Sequence, residues 1–293
     1  MAQPLEKLGM VTDAVFSDID NDTYDDLIVV GEWMKIVILK NVGGQKFIDK
    51  SKEYNLEGTT GLWWSITAND IDDDGDEDYI IGNLGSNNKF KASKEHPFKI
   101  YANDFDNNGT NDVVLAKYYK DGYVPMRGKE CSTQQMPFLA KKFNDYHSFA
   151  SSKLLDVLPK KKIKDAIIHE VSSFESVIII NENGKLLLTP LPNMAQISPI
   201  KSSIVDDFNN DGLKDILFVG NHFGVEVETT RYDAGFGGLL LGDGENNFNF
   251  IDITKSGFSI KNDSRSLKMI RTIGDEKNII VSSNNSPLTF LKY

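Results

Sequence analysis

Apolar and polar residues alternate in short blocks along this chain, and the blocks repeat. β-prone runs occupy residues 27–30, 79–82, 113–116 and 216–220. Each follows directly on a nine-residue acidic segment, and each acidic segment follows another short run, at 14–16, 65–68, 99–101 and 203–205. Runs this short are too brief for ordinary helices, and a tight polar segment between two of them predicts a β-hairpin. Further strands are predicted at 36–39, 177–180, 186–188 and 238–241, with turn signals at Gly43-Gly44, Asn183-Gly184 and Gly242-Asp243-Gly244. The runs at 267–270, 278–281 and 288–291 keep the rhythm without an acidic segment and read as a degenerate last repeat.

One stretch departs from this rhythm. From Pro137, apolar residues fall at Leu139, Phe143, Tyr146, Ala150 and Leu154, and Pro159 follows. That spacing predicts a helix with one buried face, started and stopped by proline. The expectation is a helical insertion over 120–162 in an otherwise all-β chain. The acidic segments start at 18, 70, 104 and 207, so the intervals are 52, 34 and 103 residues. The first suits a four-stranded blade, whose usual period is about 40–50 residues. The second is short for one, and the third must hide an insertion.

The acidic segments share the pattern D-x-[DN]-x-[DN]-G-x-x-D. Side chains at positions 1, 3, 5 and 9 and the carbonyl of position 7 can converge on one point, an oxygen set of the kind calcium prefers. The candidate ligands are Asp18, Asp20, Asp22, Tyr24 and Asp26 in the first loop, and Asp70, Asp72, Asp74, Asp76 and Asp78 in the second. They are Asp104, Asp106, Asn108, Thr110 and Asp112 in the third, and Asp207, Asn209, Asp211, Leu213 and Asp215 in the fourth. Tyr24, Asp76, Thr110 and Leu213 are the carbonyl donors. Glycine at position 6 permits a positive φ, but the first loop has Thr23 there. An EF-hand needs a glutamate at position 12, where this chain has Val29, Ile81, Leu115 and Phe218. The competing reading is a set of Asp/Asn/Gly turns that bind nothing, since these residues favour turns anyway.

Charge strengthens the metal reading. The net charge is −11, and 19 of the 43 acidic residues lie in the four segments 18–26, 70–78, 104–112 and 206–215. Such crowding is costly without a cation, and four calcium ions would leave a formal charge of −3. The same negative charge argues against a nucleic-acid or anionic-membrane partner. No apolar run approaches the roughly 18 residues of a membrane span. Cys131 is the single cysteine, so no intrachain disulfide is possible. The first ten residues carry no signal-peptide pattern and lead straight into strand-like material. This fits a cytoplasmic protein or a piece of a longer secreted one, and the strand-like start favours the second.

The acidic loop between strands resembles the FG-GAP/VCBS repeat found in the head of integrin α subunits, and the chain is most like bacterial surface VCBS-repeat proteins. The segments Gly31-Glu32-Trp33-Met34, Gly61-Leu62-Trp63-Trp64, Gly82-Asn83-Leu84-Gly85, Gly220-Asn221-His222 and Arg231-Tyr232-Asp233-Ala234 carry the likeness along with the loops. The resemblance implies a β-propeller across 1–293, with about five blade-like units here and either a ring of up to seven or a partial one. It also implies the C-terminal part of a longer protein, an extracellular or cell-surface setting and a non-enzymatic binding or adhesion role.

Because every acidic loop joins the first strand of a unit to the second, all four are expected on one face. The opposite face then offers Trp33, Tyr118, Arg127, His222 and Arg231 as contacts for a protein or glycan. The alternative is a glycan-active enzyme using His222 with Glu226, Glu228 and Asp233 as its acid–base cluster.

Overall fold

Continuous apolar runs become strands that are buried on both faces, and this organises most of the molecule. The structure is a computed structural model and describes residues 3–226, 229–273 and 276–292. It divides into two units. The first comprises Met1–Glu57, Gly61–Asn88 and Phe174–Tyr293, and the second Gly58–Thr60 and Lys89–Ser173.

In the first unit, β1 (Met10–Ser17), β2 (Asp26–Met34), β3 (Val37–Val42) and β4 (Lys46–Asp49) form an antiparallel meander, and the short β5 (Gly61–Leu62) pairs with the end of β2. The hairpin β6 (Ser65–Asn69) and β7 (Asp78–Gly82) opens a second sheet, and there the chain departs into the second unit. That unit holds β8 (Phe98–Asn103), β9 (Asp112–Tyr119) and β10 (Gly122–Pro125). The helices α1 (Lys129–Gln135), α2 (Phe138–Lys142), α3 (Tyr146–Ala150), α4 (Leu154–Val157) and α5 (Lys160–Lys164) follow, and β11 (Ile167–Val171) closes its sheet in the order β10-β9-β8-β11.

On return, β12 (Val177–Glu182) pairs with β7 and β13 (Lys185–Pro190) completes the second sheet as β13-β12-β7-β6. The next sheet is β14 (Ile200–Asp206), β15 (Asp215–Gly220), β16 (Gly238–Gly242) and β17 (Phe248–Ile251). The last is β18 (Ser264–Arg271), β19 (Lys277–Ser283) and β20 (Thr289–Lys292). The described residues therefore form five antiparallel sheets, four of them in the first unit. Among them no helix is long and apolar enough to cross a membrane.

This topology explains the irregular spacing. Lys89–Ser173 is an 85-residue excursion between the second and third strands of one sheet. Without it, the 137 residues between the second and fourth loop starts shrink to 52, the interval between the first and second. Two expectations change accordingly. The insertion is not confined to 120–162, and the third acidic loop belongs to the inserted unit instead of to the repeat that surrounds it. Nor is 137–158 one helix. Asp145 adopts extended backbone and caps α3 by accepting the Ser148 N–H (2.8 Å), so the chain breaks after Phe143. Leu139, Phe143 and Leu154 are buried as the spacing requires, but Tyr146 is 64 % exposed. The helices cover one face of the unit's sheet through Met136, Leu139, Phe149, Leu154 and Val157, which pack on Tyr101, Phe105 and Val114.

In the first unit, successive residues of one central strand enter successive cores. On β2, Ile28 and Val30 enter the core shared with the second sheet, while Leu27 and Val29 face the other side. On β7, Tyr79 and Ile81 join the first of these cores and Ile80 the next. On β15, Ile216 and Phe218 face back while Leu217 and Val219 face the final sheet. Strands buried on both sides lose the polar alternation of a one-sided sheet, which is why they read as unbroken apolar runs.

The first strands β1, β6, β14 and β18 stand side by side, each an edge of its own sheet. Edge backbone groups need partners, and polar side chains of the neighbouring strand supply them. Asp13 accepts the Ile66 N–H (3.0 Å), and the Thr67 hydroxyl donates to the Ser203 carbonyl (3.2 Å). The Ser202 hydroxyl accepts the Leu267 N–H (3.0 Å). Where the second strands end, the chain passes so close to its neighbours that only glycine fits. A Cβ at Gly82 would collide with the Ile200 carbonyl and one at Gly220 with that of Pro199. Gly220→Ala is expected to destabilise the protein by about 3 kcal/mol, read from the urea midpoint at unchanged m-value. A loss under about 0.5 kcal/mol would mean the backbone shifts freely there.

Candidate functional site

The four acidic loops have one backbone form. Position 4 is left-handed in each (Asn21 φ 57°, Asp73 58°, Asn107 62°, Asn210 61°), and so is position 6 (Thr23 φ 75°, Gly75 97°, Gly109 89°, Gly212 89°). Asn and Asp tolerate that region and Gly prefers it, so only Thr23 is strained. The carboxylate at position 1 holds each turn by accepting two N–H groups. Asp70 accepts from Asp74 and Gly75 (both 3.1 Å), Asp104 from Asn108 (3.0 Å) and Gly109 (3.1 Å), and Asp207 from Asp211 (3.1 Å) and Gly212 (2.8 Å). Asp18 does the same with Asp22 (3.0 Å) and Thr23 (2.7 Å). Position 5 accepts the N–H of position 7 in every loop.

Position 9 has a second task. Asp26, Asp78, Asp112 and Asp215 are all buried. In the second loop Asp78 accepts the N–H of Ile71 (2.9 Å) with one oxygen and that of Asn181 on β12 (2.8 Å) with the other. Asp215 likewise takes Phe208 (2.9 Å) and Gly242 (3.0 Å). This aspartate therefore pins the loop to the third strand whether or not an ion is near. Burial, reinforced by the charges of Asp72 and Asp74, pushes the Asp78 carboxyl up to about 6. Asp26, Asp112 and Asp215 are also raised, chiefly by burial.

The loops differ in what they offer a cation. In the second, carboxylate oxygens of Asp70, Asp72 and Asp78 lie within 4.8 Å of one another, and Asp72 Oδ1 is buried without a hydrogen-bond partner. An orphaned buried carboxylate oxygen costs several kcal/mol unless a cation meets it, and its other oxygen is held by Asn246 Nδ2 (3.1 Å). The third loop gathers Asp104, Asp106 and Asp112 equally closely. There the Gly109, Asn108 and Asn107 N–H groups outweigh desolvation and hold Asp104 below the usual carboxylate range. In the fourth loop Asn209 Nδ2 donates to Asp211 (2.7 Å), and the amide supplies only its oxygen to any ion.

The first loop is different in kind. Its Asp18, Asp20 and Asp22 are also clustered, but the Lys40 ammonium from β3 contacts Asp20, Asp22 (2.9 Å) and Asp26 (3.2 Å). Burial opposes the charge on Lys40, yet the three carboxylates raise its pKa well above the ordinary lysine value. Lys40 thus places one positive charge among the carboxylates of this loop, which sets it apart from the other three. The sequence spacing gave no warning, because Lys40 lies 14 residues beyond the motif and only strand pairing returns it. Asp76 was also only half anticipated. Beyond offering its backbone carbonyl, its carboxylate accepts Asn21 Nδ2 (2.6 Å) and the Asn183 N–H (2.7 Å), bracing the second loop against the first.

At the other end of the first unit's strands, the expected contact residues separate. Trp33 sits at a bulge in β2 with φ 60°, a strained conformation for a bulky residue. Trp63 is core, at 2 % exposure. Arg231 is exposed and lies over the Phe223 ring (5.6 Å). His222 turns inward, its Nδ1 3.0 Å from Lys201 Nζ and its ring 5.1 Å from that of Trp64. Asn83 and Asn221 are buried latches, not surface loops. Asn221 accepts the Gly235 N–H (2.9 Å) and Asn83 the Leu62 N–H (3.1 Å). Tyr118 and Arg127 lie in the second unit, where Tyr118 stacks on His96 with centroids 3.6 Å apart.

Among the described residues, His222 of the proposed acid–base cluster is paired with Lys201 and not with Glu226 or Asp233. The partner of His222 is a lysine, and burial with the nearby Lys201 and Arg265 charges lowers its pKa to about 4. Glu226 accepts the Thr229 hydroxyl (3.1 Å), and Glu228 lies outside the described residues.

Comparison with known families identifies an FG-GAP-like repeat at residues 18–81, from the first acidic loop to β7. Such repeats are typical of adhesion and integrin-like modules and are generally non-catalytic binding or structural units. No curated protein matches the chain.

Proposed function

We propose that the chain is a calcium-braced module of β-propeller type that acts outside the cell or at its surface by binding a protein or glycan. The observation that carries the calcium reading is the second loop, where three carboxylates converge and one buried oxygen has no partner. Its residues fit the ion. Asp70, Asp72, Asp74 and Asp78 would hold calcium with the Asp76 carbonyl, and the ion would supply the positive charge that this group of acids lacks. The third loop gathers its carboxylates as closely, and the fourth repeats the same turn with Asp207, Asn209, Asp211 and Asp215, so three sites are proposed: the second, third and fourth.

Titration calorimetry on chelator-treated protein is expected to give three calcium equivalents. Lys40→Met, which vacates the first loop, should add a fourth. Four equivalents in the unaltered protein would refute the assignment of Lys40 as that loop's cation, and none would remove the calcium reading.

For recognition, the end opposite the loops is favoured because it carries the strained Trp33 and the exposed Arg231–Phe223 pair on a rigid sheet scaffold. Tyr118 and Arg127 are candidate contacts of the second unit. A screen against oligosaccharides and matrix proteins should return a ligand whose affinity falls about tenfold or more in Trp33→Ala or Arg231→Ala. Unchanged affinity in both would place the contact elsewhere.

A further inference from the structure

The four first strands border an open cavity of about 600 Å³, lined by β1 (Asp13 to Val15), β6 (Ser65 to Asn69), β14 (Lys201 to Val205) and β18 (Arg265, Ser266, Lys268 and Met269). Its volume suits a small-molecule ligand. Its charge runs against that of the protein. The chain carries −11 overall, yet Lys201, Arg265 and Lys268 all line this cavity. The one lining acid, Asp13, is already engaged by the N–H groups of Ala14 (2.9 Å) and Ile66 (3.0 Å).

The cations are incompletely balanced. Lys201 is buried on β14, 3.5 Å from Asp263 Oδ1 and 3.0 Å from the His222 ring, with the Trp64 face 4.3 Å from its ammonium. Arg265 shares that same Asp263 (2.9 Å), so one carboxylate serves two cations. Glu32, itself half-buried, adds a weaker attraction. Lys268 is exposed and has no ion pair among the described residues. The excess is felt locally: burial and then the Arg265 charge bring Lys201 down to about 8. The Trp64 indole N–H beside this group is buried and has no acceptor among the described residues. Three cations with one close carboxylate among them, and an idle indole donor beside Lys201, together describe a receptor for anions.

We propose that this cavity binds a small molecule bearing two or more carboxylates, with Arg265 and Lys268 as its direct contacts and Lys201 supplying charge from behind. The planar guanidinium matches a carboxylate, and Lys268, which lines the same cavity farther along β18, meets a second anionic group. The site is distinct from the acidic loops and does not depend on their metal content.

The test uses the full chain in excess calcium at constant ionic strength, titrated with glutarate, digalacturonate and the neutral disaccharide maltose. Saturable binding of glutarate or digalacturonate, but not maltose, is expected. Binding of both acids would mean the carboxylates suffice, and binding of digalacturonate alone would assign the site to acidic saccharides. Lys268→Ala should weaken the binding about tenfold at unchanged Tm, and Lys268→Arg should restore most of it. No saturable binding of either acid, equal affinity in Lys268→Ala, or equal binding of maltose would overturn the proposal.

Discussion

Excess chelator is expected to lower the melting temperature of this protein by on the order of 10 °C or more, and calcium should restore it better than magnesium. A site held at about 100 times its Kd contributes about 2.7 kcal/mol by linkage. Two of the three proposed sites lie in the larger unit and one in the inserted unit. For units of these sizes, each kcal/mol moves Tm by about 2–8 °C. With no disulfide possible from a single cysteine, little else would offset the repulsion among the loop carboxylates. Differential scanning calorimetry with and without chelator checks this, and superimposable melting curves would refute structural calcium. Magnesium should rescue less because it holds its water and requires stricter octahedral geometry.

The second large effect separates the two tasks performed within one loop. Asp78→Ala leaves the buried N–H groups of Ile71 and Asn181 without acceptors. Each orphaned donor costs about 1–3 kcal/mol, partly offset by removing a carboxylate that burial already disfavours. A net destabilisation of about 2–4 kcal/mol is expected already in chelator, and in calcium the lost linkage energy adds to it. Asp74→Ala should behave otherwise. Its exposed carboxylate accepts only the Asp76 N–H within the loop (2.9 Å), so in chelator its loss should cost about 0.5–1 kcal/mol. In calcium it should forfeit most of the linkage energy. Denaturant titrations of both variants in both conditions read the difference directly. Equal behaviour of the two would mean that position 9 is an ordinary ligand and not also the clamp to the third strand.

The loops and central strands were legible in the sequence because their causes are local. The Asp/Asn/Gly spacing sets a turn with two left-handed residues, and the observed φ values at positions 4 and 6 repeat it four times. Unbroken apolar runs announced strands, and the structure adds that β2, β7 and β15 are covered on both faces. Periodicity misled where a local signal was stronger. The helical spacing across 137–158 was genuine for Leu139, Phe143 and Leu154, but Asp145 prefers to cap a new helix and the chain broke there.

What the sequence determined by itself was the hairpin unit: strand, acidic turn, strand, with its oxygen donors in order. What only the tertiary structure decided was which units belong together and which charges meet. The second sheet draws β12 from beyond an 85-residue excursion, which moves the third loop out of the repeat. Strand pairing carries Lys40 into the first loop, and side-by-side packing of β14 and β18 sets Lys201 and Arg265 on one shared aspartate. A turn is fixed by a few adjacent φ and ψ angles. A charge partner across a sheet is fixed by register and packing, which no short stretch of sequence contains.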